Sequence, residues 1–136
     1  MKQIKVTLNG IKVDGKYIPC SFSTDSGTVM VYARDYGRNT LPTELGNVRN
    51  DTDSQSDYFE TDHVRVYPTN KYYKDCYKAA INTEIKIYKH RIKHCEKQMI
   101  KYSAGYYFDM YKKELEAAKE YLNKWQTIFE NCKKSA

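Results

Sequence analysis

The sequence predicts an α+β fold: a small N-terminal antiparallel β-meander followed by a C-terminal antiparallel hairpin of two long helices. Two periodicities carry this prediction. Apolar and polar residues alternate through much of residues 3–33, as in half-buried strands. In residues 71–132 the apolar residues recur every three or four positions, as in packed helices. With 136 residues we expect a single domain, in which residues 1–70 form a β-rich core and residues 71–132 the helical hairpin.

Turn dipeptides divide the N-terminal alternation into strands. Asn9-Gly10 and Asp14-Gly15 have the composition of tight hairpin turns, and Asp25-Ser26-Gly27 predicts a third turn. The segment from Tyr17 to Phe22 is predicted as a strand at the edge of the sheet, because Pro19 lacks a backbone N–H. Residues 28–33 form the strongest strand pattern in the chain.

Residues 34–63 are predicted to be irregular, because they are polar and lack a clear period. Connections of this length are usually functional or disordered. A further strand is expected from His63 to Tyr67. Either Thr69 or Asn70 can then cap the first helix through a side-chain oxygen.

The two helices each carry an apolar seam with heptad spacing. Ser103-Ala104-Gly105 is the predicted link, with Gly105 suited to the left-handed conformation that ends a helix. Tyr73, Tyr77, Ile100 and Tyr107 lie off the seams and predict a second apolar surface, so we expect a homo-oligomer formed through the hairpin. The seam residues are Ile81, Ile85, Tyr88, Ile92, Cys95, Met99 and Tyr102 in the first helix, and Phe108, Tyr111, Leu115, Ala118, Leu122, Trp125, Phe129 and Cys132 in the second.

The net charge of +6 is concentrated on the predicted helices. Residues 1–70 hold 8 Lys and Arg against 9 Asp and Glu, whereas residues 71–136 hold 15 against 8. This excess is either a solvated helix face or an attraction for a polyanion or nucleotide. The sequence has no apolar run of membrane-spanning length and no leader pattern, and its four scattered cysteines predict free thiols. We therefore expect a cytoplasmic protein that has no membrane partner.

The common catalytic motifs are missing from the sequence: it has no Gly-rich phosphate loop, no Cys-x-x-Cys pair and no nucleophile elbow. His90 and His94 share a helix face and are either two exposed side chains or part of a metal site. Asp62 and His63 are either unrelated neighbours or an acid–base pair. We expect no enzyme activity, no metal and no cofactor.

Arginines and aromatic residues alternate between Tyr32 and Tyr67. Arginine grips phosphate through two parallel hydrogen bonds, and aromatic rings stack on nucleobases. Interleaved aspartates leave open a polar loop that is pinned by Arg–Asp pairs, and they disfavour an extended nucleic acid. A small cyclic nucleotide fits this composition better. The candidate ligand-binding residues are Arg34, Arg38, Arg49, Asn50, Tyr58, Phe59 and Arg65.

The predicted layout resembles that of the type-one Thoeris anti-defence sponge family of phages. Two stretches, Tyr32-Ala33-Arg34-Asp35-Tyr36 and residues 57–68, are also similar to domains of phage large polyvalent proteins. The sponge resemblance implies a non-enzymatic oligomer that sequesters a cyclic nucleotide immune signal, such as a cyclic ADP-ribose isomer or a cyclic oligonucleotide, without turnover. The competing hypothesis is a phage-encoded inhibitor that binds a bacterial defence protein, such as a CRISPR effector.

Overall fold

The structure is a computed structural model, and it describes residues 3–34, 41–46, 49–51 and 61–134. It divides into two compact units, Met1–Ala80 and Ile81–Ala136. The strands are β1 (Ile4–Val6), β2 (Gly10–Val13), β3 (Lys16–Asp25), β4 (Thr28–Arg34), β5 (Arg49–Asp51) and β6 (Thr61–Val66), and the helices are α1 (Tyr73–Tyr102) and α2 (Tyr106–Lys134). A 3₁₀ turn spans Thr43–Leu45.

The described strands form one sheet in the order β1-β2-β3-β4-β6-β5. Every neighbouring pair is antiparallel. The first four strands are consecutive in sequence and form a meander, and the two long helices follow the sheet. The predicted α+β class is therefore confirmed.

Two of the three predicted turns lie where the sequence places them. Asp14 and Gly15 have φ values of 51° and 84°, and Ser26 and Gly27 have 48° and 84°, as two-residue hairpin turns require. The hairpin predicted at Asn9-Gly10 joins β1 to β2, but it turns one residue earlier than expected, since the Thr7 N–H donates to the Gly10 carbonyl at 2.8 Å and Gly10 already begins β2. A Cβ at Gly10 would clash with the Ile18 carbonyl oxygen and lie 2.9 Å from the Tyr17 ring. This glycine therefore permits a close approach between strands.

Pro19 does not mark an edge strand, because β3 lies between β2 and β4. Residues Lys16 to Pro19 pair with β2, and the pairing with β4 begins only at Cys20. The Cys20 N–H donates to the Asn9 carbonyl on the β2 side at 3.2 Å. Since successive backbone groups alternate in direction, the nitrogen of Pro19 faces the other side, where pairing has not begun. The missing N–H therefore costs no ladder hydrogen bond.

The segment predicted as irregular contains the 3₁₀ turn and β5, neither of which the sequence predicted. The next strand begins at Thr61 and ends at Val66, one or two residues earlier than expected. Gly46 follows the 3₁₀ turn with φ 148°, and a Cβ there would lie 2.5 Å from the Arg65 carbonyl oxygen. The 3₁₀ turn is thereby held against β6.

One face of the sheet carries the core of the first unit. Ile11, Phe22, Val31 and Val64 are fully or almost fully buried there, together with Leu41 and Leu45. Cys76, Ala79 and Ala80 from the first turns of α1 belong to the same cluster, and Tyr73 and Tyr77 pack against it. The prediction that these two tyrosines form part of a free apolar surface is therefore wrong.

Asn70, one of the two predicted caps, lies three residues before α1 and orders the turn that leads into it. Its Oδ1 accepts the Tyr72 N–H at 2.8 Å, and its Nδ2 donates to the carbonyls of Glu44 and Leu45 at 2.9 and 3.0 Å. One amide therefore joins the turn before the helix to the 3₁₀ turn.

In the second unit the rest of α1 runs antiparallel to α2. The ring of Tyr88 contacts that of Tyr121, and the ring of Tyr102, further along α1, contacts that of Tyr107, near the start of α2. The two helices therefore run in opposite directions. The left-handed residue that ends α1 is Ser103, with φ 46°, whereas Gly105 also has a positive φ of 92° but lies directly before α2. The prediction that Gly105 ends the first helix is therefore wrong. Cys95 and Ala118 are buried, whereas most of the α2 seam is only partly buried. No helix in the described part of the chain is long and apolar enough to span a bilayer.

Candidate ligand-binding face

The face of the sheet opposite the core carries exposed and partly exposed side chains in the described part of the chain, and we call it the open face. Alternation along each strand decides which residues reach it. In β4, Val29, Val31 and Ala33 point into the core, whereas Tyr32 is 38% exposed. In β6, Val64 and Val66 are buried, so His63 and Arg65 point to the open face.

One cross-strand row brings a phenol and an imidazole together on this face. Tyr32 pairs with Ser21 on one side and with His63 on the other. The Tyr32 and His63 rings lie 6.1 Å apart at a tilt of 36°. A hollow of about 230 Å³ beside Tyr32 is lined by Pro19, Cys20 and Ser21. The row thus offers two neighbouring rings with polar groups at their border.

Arg65 supplies a cation on the same face, two residues from His63. Its guanidinium Nη1 lies 2.7 Å from the Asp25 carboxylate and donates to the Thr28 hydroxyl at 2.8 Å. Both charged side chains remain partly exposed, at 39% for Arg65 and 46% for Asp25. The guanidinium is therefore held in place while several of its N–H groups can still meet an anion.

The other predicted site residues are placed only in part. Arg34 lies at the end of β4 and pairs with Thr61, whereas Arg49 and Asn50 lie in β5 and pair with His63 and Asp62. The backbone pairing therefore brings Arg49 next to His63, which in turn neighbours Tyr32. Arg38, Tyr58 and Phe59 lie outside the described residues.

Asp62 and His63 do not form the acid–base pair that their sequence suggested as one alternative. Asp62 is 1% exposed and lies on the core face, where its Oδ2 accepts the Leu41 N–H at 3.3 Å. His63 is its neighbour in the strand and faces the other way. A strand therefore separates the carboxylate from the imidazole.

The cysteines of the first unit are poor nucleophiles. Burial raises the pKa of the Cys20 thiol to about 12 and, together with nearby Asp75, that of Cys76 to about 12. All four cysteines are free thiols. Among the described residues, no group of three or more His, Cys, Asp or Glu side chains could hold a metal ion.

The sequence prediction includes Arg65 among the candidate residues, names Tyr32 only as part of the Arg–aromatic alternation, and gives His63 a different role. The signal that could have placed His63 beside Tyr32 is the alternation His63-Val64-Arg65-Val66, which puts His63 and Arg65 on the same side. Comparison of the chain with family models, with curated proteins and with solved structures gives no match.

Proposed function

We propose that this chain binds a small cyclic nucleotide on the open face of the sheet and sequesters it without turnover, as a phage anti-defence protein of the Thoeris sponge type. Cyclic ADP-ribose isomers and cyclic oligonucleotides are the ligand classes. The observation that carries the proposal is the Tyr32–His63 row with Arg65 beside it. These groups supply a stacking surface for a base and a forked cation for a phosphate.

The charges on the open face favour a small ligand. Asp25 neutralises part of the charge of Arg65, so the described part of the face lacks the continuous run of cations that an extended phosphate backbone requires. A cyclic nucleotide presents one or a few phosphates, and its other polar atoms can form hydrogen bonds with the hydroxyl and imidazole groups of the open face.

A release assay tests this proposal. The purified protein is incubated with cyclic ADP-ribose isomers and with cyclic di- and trinucleotides, the free ligand is measured, and the protein is then heat-denatured. Depletion followed by recovery of the intact ligand is the expected result. An altered ligand would indicate an enzyme, and no depletion of any candidate would refute the proposal.

Self-association through the hairpin is part of the proposal, and the exposed residues around the helix link support it. Ile100 is 81% exposed, Tyr106 77% and Tyr107 53%. Tyr102 and Tyr107 lie 5.0 Å apart and Tyr106 and Tyr107 5.4 Å apart, so the rings hold one another in place. Exposed apolar patches of this kind mark protein interfaces. We call these four residues (Ile100, Tyr102, Tyr106 and Tyr107) the hairpin tip.

The hairpin tip also favours the second candidate function, an inhibitor that docks on a bacterial defence protein such as a CRISPR effector. Tyrosines are enriched among the residues that dominate binding energy at protein interfaces. Mass in solution separates the two uses of the tip. An oligomer that dissociates when the tip is changed supports the sponge, whereas a strict monomer leaves the tip to another protein.

A further inference from the structure

The second unit contains a groove between α1 and α2 that is distinct from the open face. Its volume is about 360 Å³, within the usual range for sites that hold small molecules. We call it the hairpin groove. Its lining residues are Tyr88, Arg91, His94, Glu114, Ala117, Ala118 and Tyr121.

Small residues on α2 create the groove. Ala117 and Ala118 stand where larger residues would fill the space between the helices, and Ala118 is 2% exposed. In the same lining, Tyr88 of α1 and Tyr121 of α2 stack with their ring centroids 5.4 Å apart and their planes inclined by 18°. The Tyr121 side chain remains 49% exposed, so its ring offers a surface for a further planar group.

Arg91 and His94, which line the groove, each contact an aromatic ring. The Arg91 guanidinium lies 5.2 Å from the centre of the Tyr88 ring. His94, almost one helical turn further along α1, packs edge-on against Tyr111 at 6.0 Å. Because the rings restrict both side chains, less conformational entropy is lost when they bind an anion.

Glu114 limits the charge that the groove accepts. Its side chain lines the groove together with Arg91 and His94, and its Oε2 is 3.9 Å from the buried Cys95 thiol. Burial, followed by the nearby Glu114 carboxylate, raises the pKa of that thiol, so Cys95 adds no negative charge at neutral pH. A carboxylate can accept hydrogen bonds from a base amino group or from sugar hydroxyls, but it repels a ligand with many phosphates.

From these contacts we propose that the hairpin groove is a second ligand site, for a planar aromatic molecule that carries one phosphate group, such as a nucleoside monophosphate. The base stacks on Tyr121, the phosphate meets Arg91 and His94, and Glu114 accepts a hydrogen bond from the base or the sugar. The proposal goes beyond the proposed function, since it assigns a different unit and a different site.

Titration calorimetry of the whole chain with adenosine 5′-monophosphate tests the groove, with adenosine as the ligand that lacks the phosphate. We expect saturable binding of the monophosphate and weaker binding of adenosine. Arg91→Gln and Tyr121→Leu should each weaken the monophosphate by about tenfold, as the loss of a charge-assisted hydrogen bond or a stacking surface predicts. Arg91→Gln should leave adenosine binding unchanged, because the cation acts on the phosphate.

The matched control is Lys89→Gln, which removes an exposed cation from the same helix outside the groove lining. It should bind the monophosphate like the unchanged protein. Equal binding of adenosine and its monophosphate, wild-type binding by both groove variants, or no saturable binding at millimolar ligand would each overturn the proposal. Circular dichroism establishes that each variant is folded. If Arg91→Gln is not folded, Arg91→Lys replaces it in the titration, because lysine keeps the charge but lacks the forked guanidinium that grips a phosphate.

Arg91→Gln, together with Arg65→Gln on the open face, separates this proposal from the proposed function. Loss of cyclic nucleotide retention in Arg65→Gln, with monophosphate binding intact, locates two independent sites. If retention of the cyclic nucleotide instead depends on Arg91 and not on Arg65, the open-face proposal fails and the groove stands.

Discussion

Arg65 and Asp25 join the β3–β4 turn to β6 through a 2.7 Å ion pair between residues 40 positions apart in the chain. Both partners are partly exposed, and pairs of this kind contribute about 0.2–1 kcal/mol to stability. The pair therefore fixes the guanidinium on the open face more than it stabilises the fold.

The first prediction concerns this pair. Arg65→Ala should weaken a phosphate ligand by about 1.5–3 kcal/mol, the value of a charge-assisted hydrogen bond. It should lower the free energy of unfolding by no more than about 1 kcal/mol. Asp25→Asn is the control, since it breaks the same pair but leaves the cation, and should bind at least as tightly. Calorimetric titration and urea denaturation measure the two quantities. Unfolding of Arg65→Ala would show that the arginine is structural.

The second prediction concerns Gly46. Its φ of 148° and the 2.5 Å approach of a Cβ to the Arg65 carbonyl oxygen make alanine costly there. We expect Gly46→Ala to destabilise the protein by about 3 kcal/mol, from backbone strain and overpacking together. Gly15→Ala is the control, since Gly15 also has a positive φ but has open space around it, and should cost about 1 kcal/mol. Equal losses in urea denaturation would contradict the close packing of the 3₁₀ turn on β6.

The third prediction concerns pH. The folded-state pKa values of Cys20 and Cys76 are about 12, above the ordinary value of 9.0. Below pH 9 both thiols are protonated in the folded and unfolded states and stability is unaffected. Between pH 9 and 12 the unfolded chain loses these protons while the folded chain keeps them, so stability falls, by at most about 1.4 kcal/mol per pH unit for each thiol.

The measurement is the free energy of unfolding from pH 8 upward, compared with that of the Cys20→Ala, Cys76→Ala double variant. The double variant removes the two thiols and retains the tyrosines and lysines that also titrate there. Its stability should fall less steeply with pH. Parallel curves would contradict the raised pKa values.

The fourth prediction uses two neighbours on opposite faces of β6. Asp62→Ala removes the acceptor of the Leu41 N–H and should cost about 1–3 kcal/mol of stability. His63→Ala should leave stability almost unchanged but weaken the ligand, because it removes a ring beside Tyr32. Thermal unfolding and ligand titration of both variants check this. If Asp62→Ala instead weakened the ligand and His63→Ala lowered the stability, the open face would not be the ligand-binding face.

The fifth prediction concerns the hairpin tip. Ile100→Ser with Tyr106→Ser should shift an oligomer to monomer, because both side chains are largely exposed and their removal costs the isolated hairpin little. Ile87→Ser is the control, since Ile87 is an exposed apolar residue of α1 outside the tip. Sedimentation velocity measures the mass. An oligomer that persists in the double variant would assign its interface to another surface.

The local features of this fold could be predicted from sequence, whereas the pairing between distant segments could not. Asp14-Gly15, Ser26-Gly27 and Asn70 each determine their conformation through their own backbone or side chain. β5 was missed because Arg49-Asn50-Asp51 has no apolar alternation and owes its strand conformation to its partner β6.

The same limit applies to the candidate site. The alternation of Tyr32 and Arg34 with small or apolar residues predicts a shared strand face. It does not indicate that β6 lies next to β4, or that Asp25 holds Arg65, because both contacts join residues far apart in the chain. The assignment of Tyr73 and Tyr77 to a free surface fails for the same reason, since the cluster that they pack against combines residues from Ile11 to Val66 that only the folded sheet brings together.

The described sheet ends in β1 on one side and β5 on the other, and each of these strands has only three residues. Strands this short offer few unpaired backbone groups, so another chain could gain few hydrogen bonds by pairing with β1 or β5 themselves.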